Sequence, residues 1–160
     1  MKVTREPSKP GVKATTLKME DEGSYPAGLD EPCRGRKGRR VGDHFGLTNF
    51  GANLTELSPS AWSAQRHWHS HEDELIYVIS GELCLLTDSS EQVLTAGMVV
   101  GFAAGVEDGH HLVNRSDAVA VYLEIGDRRA ADECHYPDVD LFYAATGDGH
   151  EFLHKNGKPY

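Results

Sequence analysis

The sequence predicts an all-β domain, a sandwich or barrel of short strands, and three observations carry that expectation. Residues 45–126 are dense in β-branched and aromatic residues and are cut by Gly, Asn, Asp and Ser at short intervals. No sizeable stretch of this zone repeats its apolar residues with a period of 3.6. In Glu74–Ile79 both alternating sets, Glu74/Ile76/Val78 and Leu75/Tyr77/Ile79, are largely apolar, the pattern of a strand covered on both faces. The 160 residues suit one domain with its own core.

The elements follow in order. Residues 1–44 are rich in Pro, Gly and charge, with little periodicity, and read as an irregular arm. Its run Arg34-Gly-Arg-Lys-Gly-Arg-Arg40 holds five cations in seven positions. That run reads as a solvated arm neutralising acidic surface, the sharper alternative being a strap that helps bind a substrate phosphate. Strands are expected at Leu47–Leu57, Trp62–His69, Glu74–Ile79, Glu82–Thr87, Gln92–Thr95, Met98–Phe102, Gly109–Asn114 and Val119–Gly126. Turn signals separate them at Ser80-Gly81, Asp88-Ser89-Ser90, Ala96-Gly97, Ala104-Gly105 and Asn114-Arg115-Ser116-Asp117. Residues 127–160 read as a polar tail whose aromatics pack on the barrel. The covering of the second face of Glu74–Ile79 is expected from the arm or from a second subunit, and a homodimer is the expectation.

Composition narrows the function. The net charge of −9 argues against a nucleic-acid coat or an anionic-membrane binder. Met1–Gly11 has no apolar h-region, so no secretory signal is read there. The longest mostly apolar stretch, Val93–Val106, is broken by glycines and falls short of the ~20 residues a spanning helix needs. Cys33, Cys84 and Cys134 form no C-x-x-C pair, and their odd number fits a reducing cytoplasm. Cys84, in Leu83-Cys-Leu-Leu86, reads as core.

Nine histidines are many for this length, and five fall in two clusters. In an extended strand, residues two apart point the same way, so His67 and His69 project together, joined by Gln65. Glu74, opening the next strand, can return a carboxylate to the same place. His110, Leu112 and Asn114 share a face in the second cluster. Three imidazoles and a carboxylate with open positions suit one divalent transition metal, with iron, manganese, nickel, copper and zinc all admissible.

These residues resemble the two motifs of the cupin family. The first, G-x5-H-x-H-x(3,4)-E-x6-G, is met by His67-x-His69-x4-Glu74-x6-Gly81, with Ala61 in place of the leading Gly. The second, G-x5-P-x-G-x2-H-x3-N, is met by Gly97-x5-Ala103-x-Gly105 and His110-x3-Asn114, with Ala103 for Pro and two extra residues before His110. The resemblance covers residues 46–126, and the whole chain is similar to small single-domain bacterial cupins.

It implies a double-stranded β-helix, or jelly roll, with a metal near the barrel axis held by His67, His69, Glu74 and His110. His111 is the alternative to His110, His71 could replace a ligand or sit at the mouth, and Glu72 and Asp73 compete with Glu74. Gln65, His71, Ile76, Val78, Leu112 and Asn114 are expected to line the pocket or support the ligands, although Asn114 could equally close a turn. The implied function is a mononuclear-metal protein acting on a small polar molecule, as an isomerase of sugar phosphates or a dioxygenase. The alternative is a non-catalytic module that binds a small ligand through the metal. Trp62 and Trp68 share a parity opposite to His67 and are expected on the barrel exterior or at an interface. His135, His150 and His154 read as tail residues without a role.

Overall fold

A computed structural model describes residues 11–21, 23, 25–146 and 149–160. Apart from Gly11, the segment read for a signal peptide lies outside the described residues. The strands are β1 (Glu20–Asp21), β2 (Arg36–Arg40), β3 (Phe50–Leu57), β4 (Trp68–His69), β5 (Glu74–Ser80), β6 (Glu82–Leu86), β7 (Glu91–Thr95), β8 (Val99–Phe102), β9 (His111–Val113), β10 (Ala120–Asp127), β11 (Cys134–His135), β12 (Phe142–Thr146) and β13 (Gly149–Leu153). One short helix, α1 (Val41–His44), follows β2. No helix among the described residues is long and apolar enough to cross a membrane.

Three antiparallel sheets result, ordered β1-β2-β3-β10-β5-β8, β7-β6-β9 and β13-β12-β11-β4. The first two face each other as a jelly roll. Leu57, Ile76, Val78, Ala120 and Tyr122 from the first pack on Leu83, Leu85, Leu94 and Leu112 from the second. Each fully buried Leu or Val of this set removes roughly 1.5–3 kcal/mol worth of apolar surface from water. Cys84 is buried in β6, as its apolar neighbours require.

The chain passes from the first sheet to the second at Gly81, whose φ of +80° lies in the left-handed region. A Cβ there would stand 2.8 Å from the Cα of Ala120. Gly81→Ala is therefore expected to cost about 2 kcal/mol through backbone strain and collision. This would lower Tm by about 4–8 °C in a thermal melt.

Four expectations are corrected. Trp62–His69 is not one strand: Trp62 and His67 make isolated bridges to Val113 and His110, and only Trp68–His69 is extended in a sheet. The Gln65 N–H between them turns aside to the Tyr25 hydroxyl. The C-terminal segment is not merely a tail, because β11–β13 complete the third sheet with β4. Its Cys134, Tyr136 and Leu141 form a second small core with Tyr25 and Leu29 of the N-terminal segment.

The basic run is not a solvated arm but strand β2 and its flank. Arg36 pairs with Glu124 at 3.0 Å, Arg39 with Glu56 at 2.7 Å, Arg40 with Glu20 at 3.4 Å and Arg34 with Asp30 at 3.0 Å. Finally, no described residue of the N-terminal arm covers the second face of β5. Leu75, Tyr77 and Ile79 are 42–45% exposed, and the N-terminal strands lie at the far edge of that sheet.

Candidate metal centre

A cavity of about 650 Å³ opens between the first sheet and the C-terminal segment. It takes residues from all three zones of the sequence: Tyr25 and Arg36 from the first, His67, Glu74 and His110 from the second, and Asp132, Cys134 and Tyr136 from the third.

Strand pairing sets the donors. Glu74 begins β5 and faces inward with Ile76 and Val78. His67 and His110 sit opposite each other, exchanging backbone hydrogen bonds at 3.1 and 2.8 Å. Potential ligand atoms of His67, Glu74 and His110 lie within 4.8 Å of one another. Those of His67, His69 and Cys134 do the same, as do those of His69, Glu72 and Asp132. The four residues singled out from the sequence thus gather around His67, in two overlapping groups instead of one equidistant set.

The imidazoles are oriented for ligation. A carbonyl can only accept, so His67 Nδ1 must be the protonated nitrogen that donates to the Gln65 carbonyl at 2.8 Å. Its Nε2 lone pair is then free. His69 Nδ1 is held at 2.7 Å by the Asp132 carboxylate, which likewise leaves Nε2. His110 Nε2 stands 3.2 Å from a Glu74 oxygen, and the His110 ring stacks on Phe102 with centroids 3.5 Å apart.

Burial drives the His67 pKa down to about 3 despite the nearby Glu74 carboxylate, so this ring is neutral at physiological pH. Burial opposes ionisation of Glu74, but the His110 hydrogen bond and the surrounding imidazoles outweigh it and keep its pKa below the usual carboxylate range. Burial likewise opposes protonation of His69, yet the Asp132 hydrogen bond and the carboxylates around it raise its pKa.

Imidazoles, one of them the neutral His67 ring, beside an ionised, buried carboxylate are the donor types of a divalent transition metal, and a cation offsets the cost of burying that carboxylate. The residues present fit such an ion.

The other expected pocket residues divide. Ile76 and Leu112 line the cavity. Val78 lies in the core beneath it. Gln65 is buried the other way, its amide donating to the Leu29 carbonyl at 2.8 Å. His71 is exposed and bonds Ser70 Oγ, because the chain leaves β4 at His69 and the strand parity ends there. Asn114 is fully buried away from the cavity and closes the turn before β10. His111 borders the cavity, but its Nδ1 is bonded to the Ala64 carbonyl and its ring meets Trp62 edge-on, and it joins none of the three donor groups. Trp68 stacks on His135 at 4.1 Å, so that histidine packs in the third sheet.

Several cavity residues had no local signal. Asp132, Cys134 and Tyr136 follow no motif and reach the site only through the pairing of β11 with β4. His150, expected to be idle, lines the cavity and bonds the Asp132 carbonyl. Polar groups do converge on the open side: Asn53, Arg36 with Glu124, Glu72, Arg129 and Tyr143.

A family profile for the cupin domain matches residues 53–126. No curated protein matches the chain by sequence. Among solved structures, a cupin-superfamily protein of Silicibacter pomeroyi, described as a sugar phosphate isomerase, is 36% identical with a TM-score of 0.88. That match covers 94% of this chain and 96% of the other. A protein of Acidithiobacillus ferrooxidans, provisionally described as a sugar phosphate isomerase, is 24% identical with a TM-score of 0.74, over 87% of this chain and 88% of its own. A polyketide cyclase of Streptomyces resistomycificus shares the fold at 20% identity and a TM-score of 0.61, over 73% of this chain and 78% of its own. Two histidine motifs, a jelly roll carrying them on facing strands, and a relative similar along nearly its whole length together place this chain in the cupin superfamily.

Proposed function

We propose that the protein is a metal-dependent isomerase of a small phosphorylated sugar. The observation that carries this reading is the convergence of His67, His69, Glu74 and His110 on one polar-lined cavity. At about 650 Å³ the cavity is of the size that holds small-molecule ligands. The 36%-identical relative described as a sugar phosphate isomerase supports the choice of substrate class.

In this reading His67, His69, Glu74 and His110 hold a divalent ion with positions open to the cavity. The ion supplies Lewis acidity toward a substrate carbonyl or hydroxyl oxygen. Glu72 stands on the cavity wall 4.0 Å from His69 Nδ1, one of its oxygens held by the Arg129 N–H at 2.6 Å. In this reading it would be the carboxylate that moves a proton between adjacent carbons. Arg36, Arg129, Asn53 and Tyr143 line the same cavity, and in this reading the two cations would meet the phosphate and the two polar groups the sugar hydroxyls.

The test is elemental analysis of untagged protein, followed by NMR of aldose and ketose phosphates in D2O. About one transition-metal ion per chain and deuterium entry at the exchanging carbon are expected. Glu72→Gln is expected to keep the metal and lose about 100-fold in kcat. Metal binding without turnover of any aldose or ketose phosphate would replace this reading with the non-catalytic binding module.

We also propose that a second copy of the chain covers the bare face of β5. Tyr77 and Val99 are directly paired on it, both exposed, and they continue the apolar row of Leu75 and Ile79 at the β8 edge of the sheet. Light scattering at micromolar protein is expected to give twice the chain mass, and a monomer would overturn the proposal. Three buried free thiols fit a cytoplasmic location.

A further inference from the structure

The donors around His67 differ in softness. His67, Glu74 and His110 offer two imidazole nitrogens and a carboxylate oxygen, whereas His67, His69 and Cys134 offer two nitrogens and a sulfur. We propose that the second set is a further, thiophilic metal seat, which takes a zinc-class cation and shares His67 and His69 with the harder site.

Pairing of β11 with β4 sets Cys134 directly opposite His69. The three donor atoms lie within 4.8 Å of one another, and a tetrahedral zinc-class ion holds such donors roughly 3.5 Å apart. The remaining approach is within reach of small side-chain rotations. Both rings present Nε2, since Gln65 and Asp132 hold the Nδ1 atoms.

Cys134 is buried, is not in a disulfide and lines the cavity. Burial pushes its pKa up and keeps it a thiol until a metal displaces the proton. Tyr25 and Tyr136 pack beside it, and the Tyr25 oxygen accepts the Gln65 N–H. Binding is balanced by one proton: the S–H bond breaks, the sulfur–metal bond forms, and the proton leaves to solvent.

Thiolate selects zinc, cadmium or copper(I), whereas imidazole with carboxylate also accepts manganese or iron(II). Because both seats need His67 and His69, a thiophilic ion in one empties the other. This competition rests on the harder metal site proposed above; the sulfur seat does not.

The test titrates chelator-treated full-length protein with Cd²⁺, following the ultraviolet thiolate-to-cadmium band, and separately with Mn²⁺. The band is expected to saturate at one Cd²⁺ per chain, to vanish in Cys134→Ser and to persist in Cys33→Ser and Cys84→Ser. Cys134→Ser is expected to weaken Cd²⁺ binding by at least about tenfold and leave Mn²⁺ affinity within about twofold. Should Cys134→Ser fail to fold, ¹¹³Cd NMR of the wild type reads the same point, one sulfur ligand supporting the seat.

A cadmium signal typical of nitrogen and oxygen ligands alone, or a band that survives Cys134→Ser, overturns it. Mn²⁺ binding without a sulfur signal removes this seat and keeps the harder one. A sulfur signal without Mn²⁺ binding does the reverse.

Discussion

Replacing His67 with alanine is expected to strip the protein of its metal. His67 belongs to both nitrogen-rich donor groups, its ring centroid 5.0 Å from those of His69 and His110. A neutral ring buried at this point, with Nδ1 already committed to Gln65, spends no proton when it ligates. Structural transition-metal sites are worth about 10–16 kcal/mol, so one of four ligands carries about 3–4 kcal/mol. Affinity should therefore fall several hundred-fold, and metal content should drop from about one ion per chain to a small fraction of that. Calorimetry and elemental analysis read both quantities. His111→Ala is the control, since its ring is bonded to the Ala64 carbonyl and stands outside the donor groups. Retention of metal by His67→Ala, or its loss from His111→Ala, would mean that the centre is built from other residues.

The second large effect falls on stability. The Asn114 amide donates to the carbonyls of Leu57 and Ala118, both at 2.8 Å. Its oxygen accepts from the Ser116 N–H at 3.0 Å and the Ser116 hydroxyl at 2.7 Å. It is fully buried and ties the end of β3 to the turn before β10. Asn114→Ala removes all four bonds and leaves the buried Leu57 carbonyl without this donor, a loss of about 3 kcal/mol. Tm should fall by about 6–12 °C while metal stoichiometry stays unchanged. Loss of metal with an unaltered Tm would make Asn114 a support of the ligands after all.

The contrast between these two residues shows what was legible in the sequence. His67, His69, Glu74 and His110 could be singled out because short spacings along strands fix which side chains share a side. The structure does bring them to one cavity. The same parity rule failed for Gln65 and His71 because it presumes an unbroken strand. The chain instead bridges only at Trp62 and His67, turns the Gln65 N–H to Tyr25, and leaves the sheet after His69.

The alternation in β5 was legible, and its inner set Glu74, Ile76 and Val78 points into the fold. What was not legible was the wall facing those ligands. Asp132, Cys134 and Tyr136 sit more than sixty residues beyond His69 and come to it through two β11–β4 pairs, a long-range register that leaves no mark in local composition. The basic run was misread for a related reason. Its acidic partners Glu20, Glu56 and Glu124 are scattered along the chain and meet it only across neighbouring strands.

The return of the last thirty residues over the mouth of the jelly roll also bears on how such proteins diversify. The scaffold that carries the histidine motifs and the segment that furnishes Asp132, Cys134, Tyr143 and His150 are separate stretches of polypeptide, joined at a two-residue strand. Exchanging that segment between relatives changes the cavity wall while the apolar core of the jelly roll stays untouched. Conversely, a fragment trimmed to residues 53–126 would preserve the family signature and lose nearly half the residues that line its cavity.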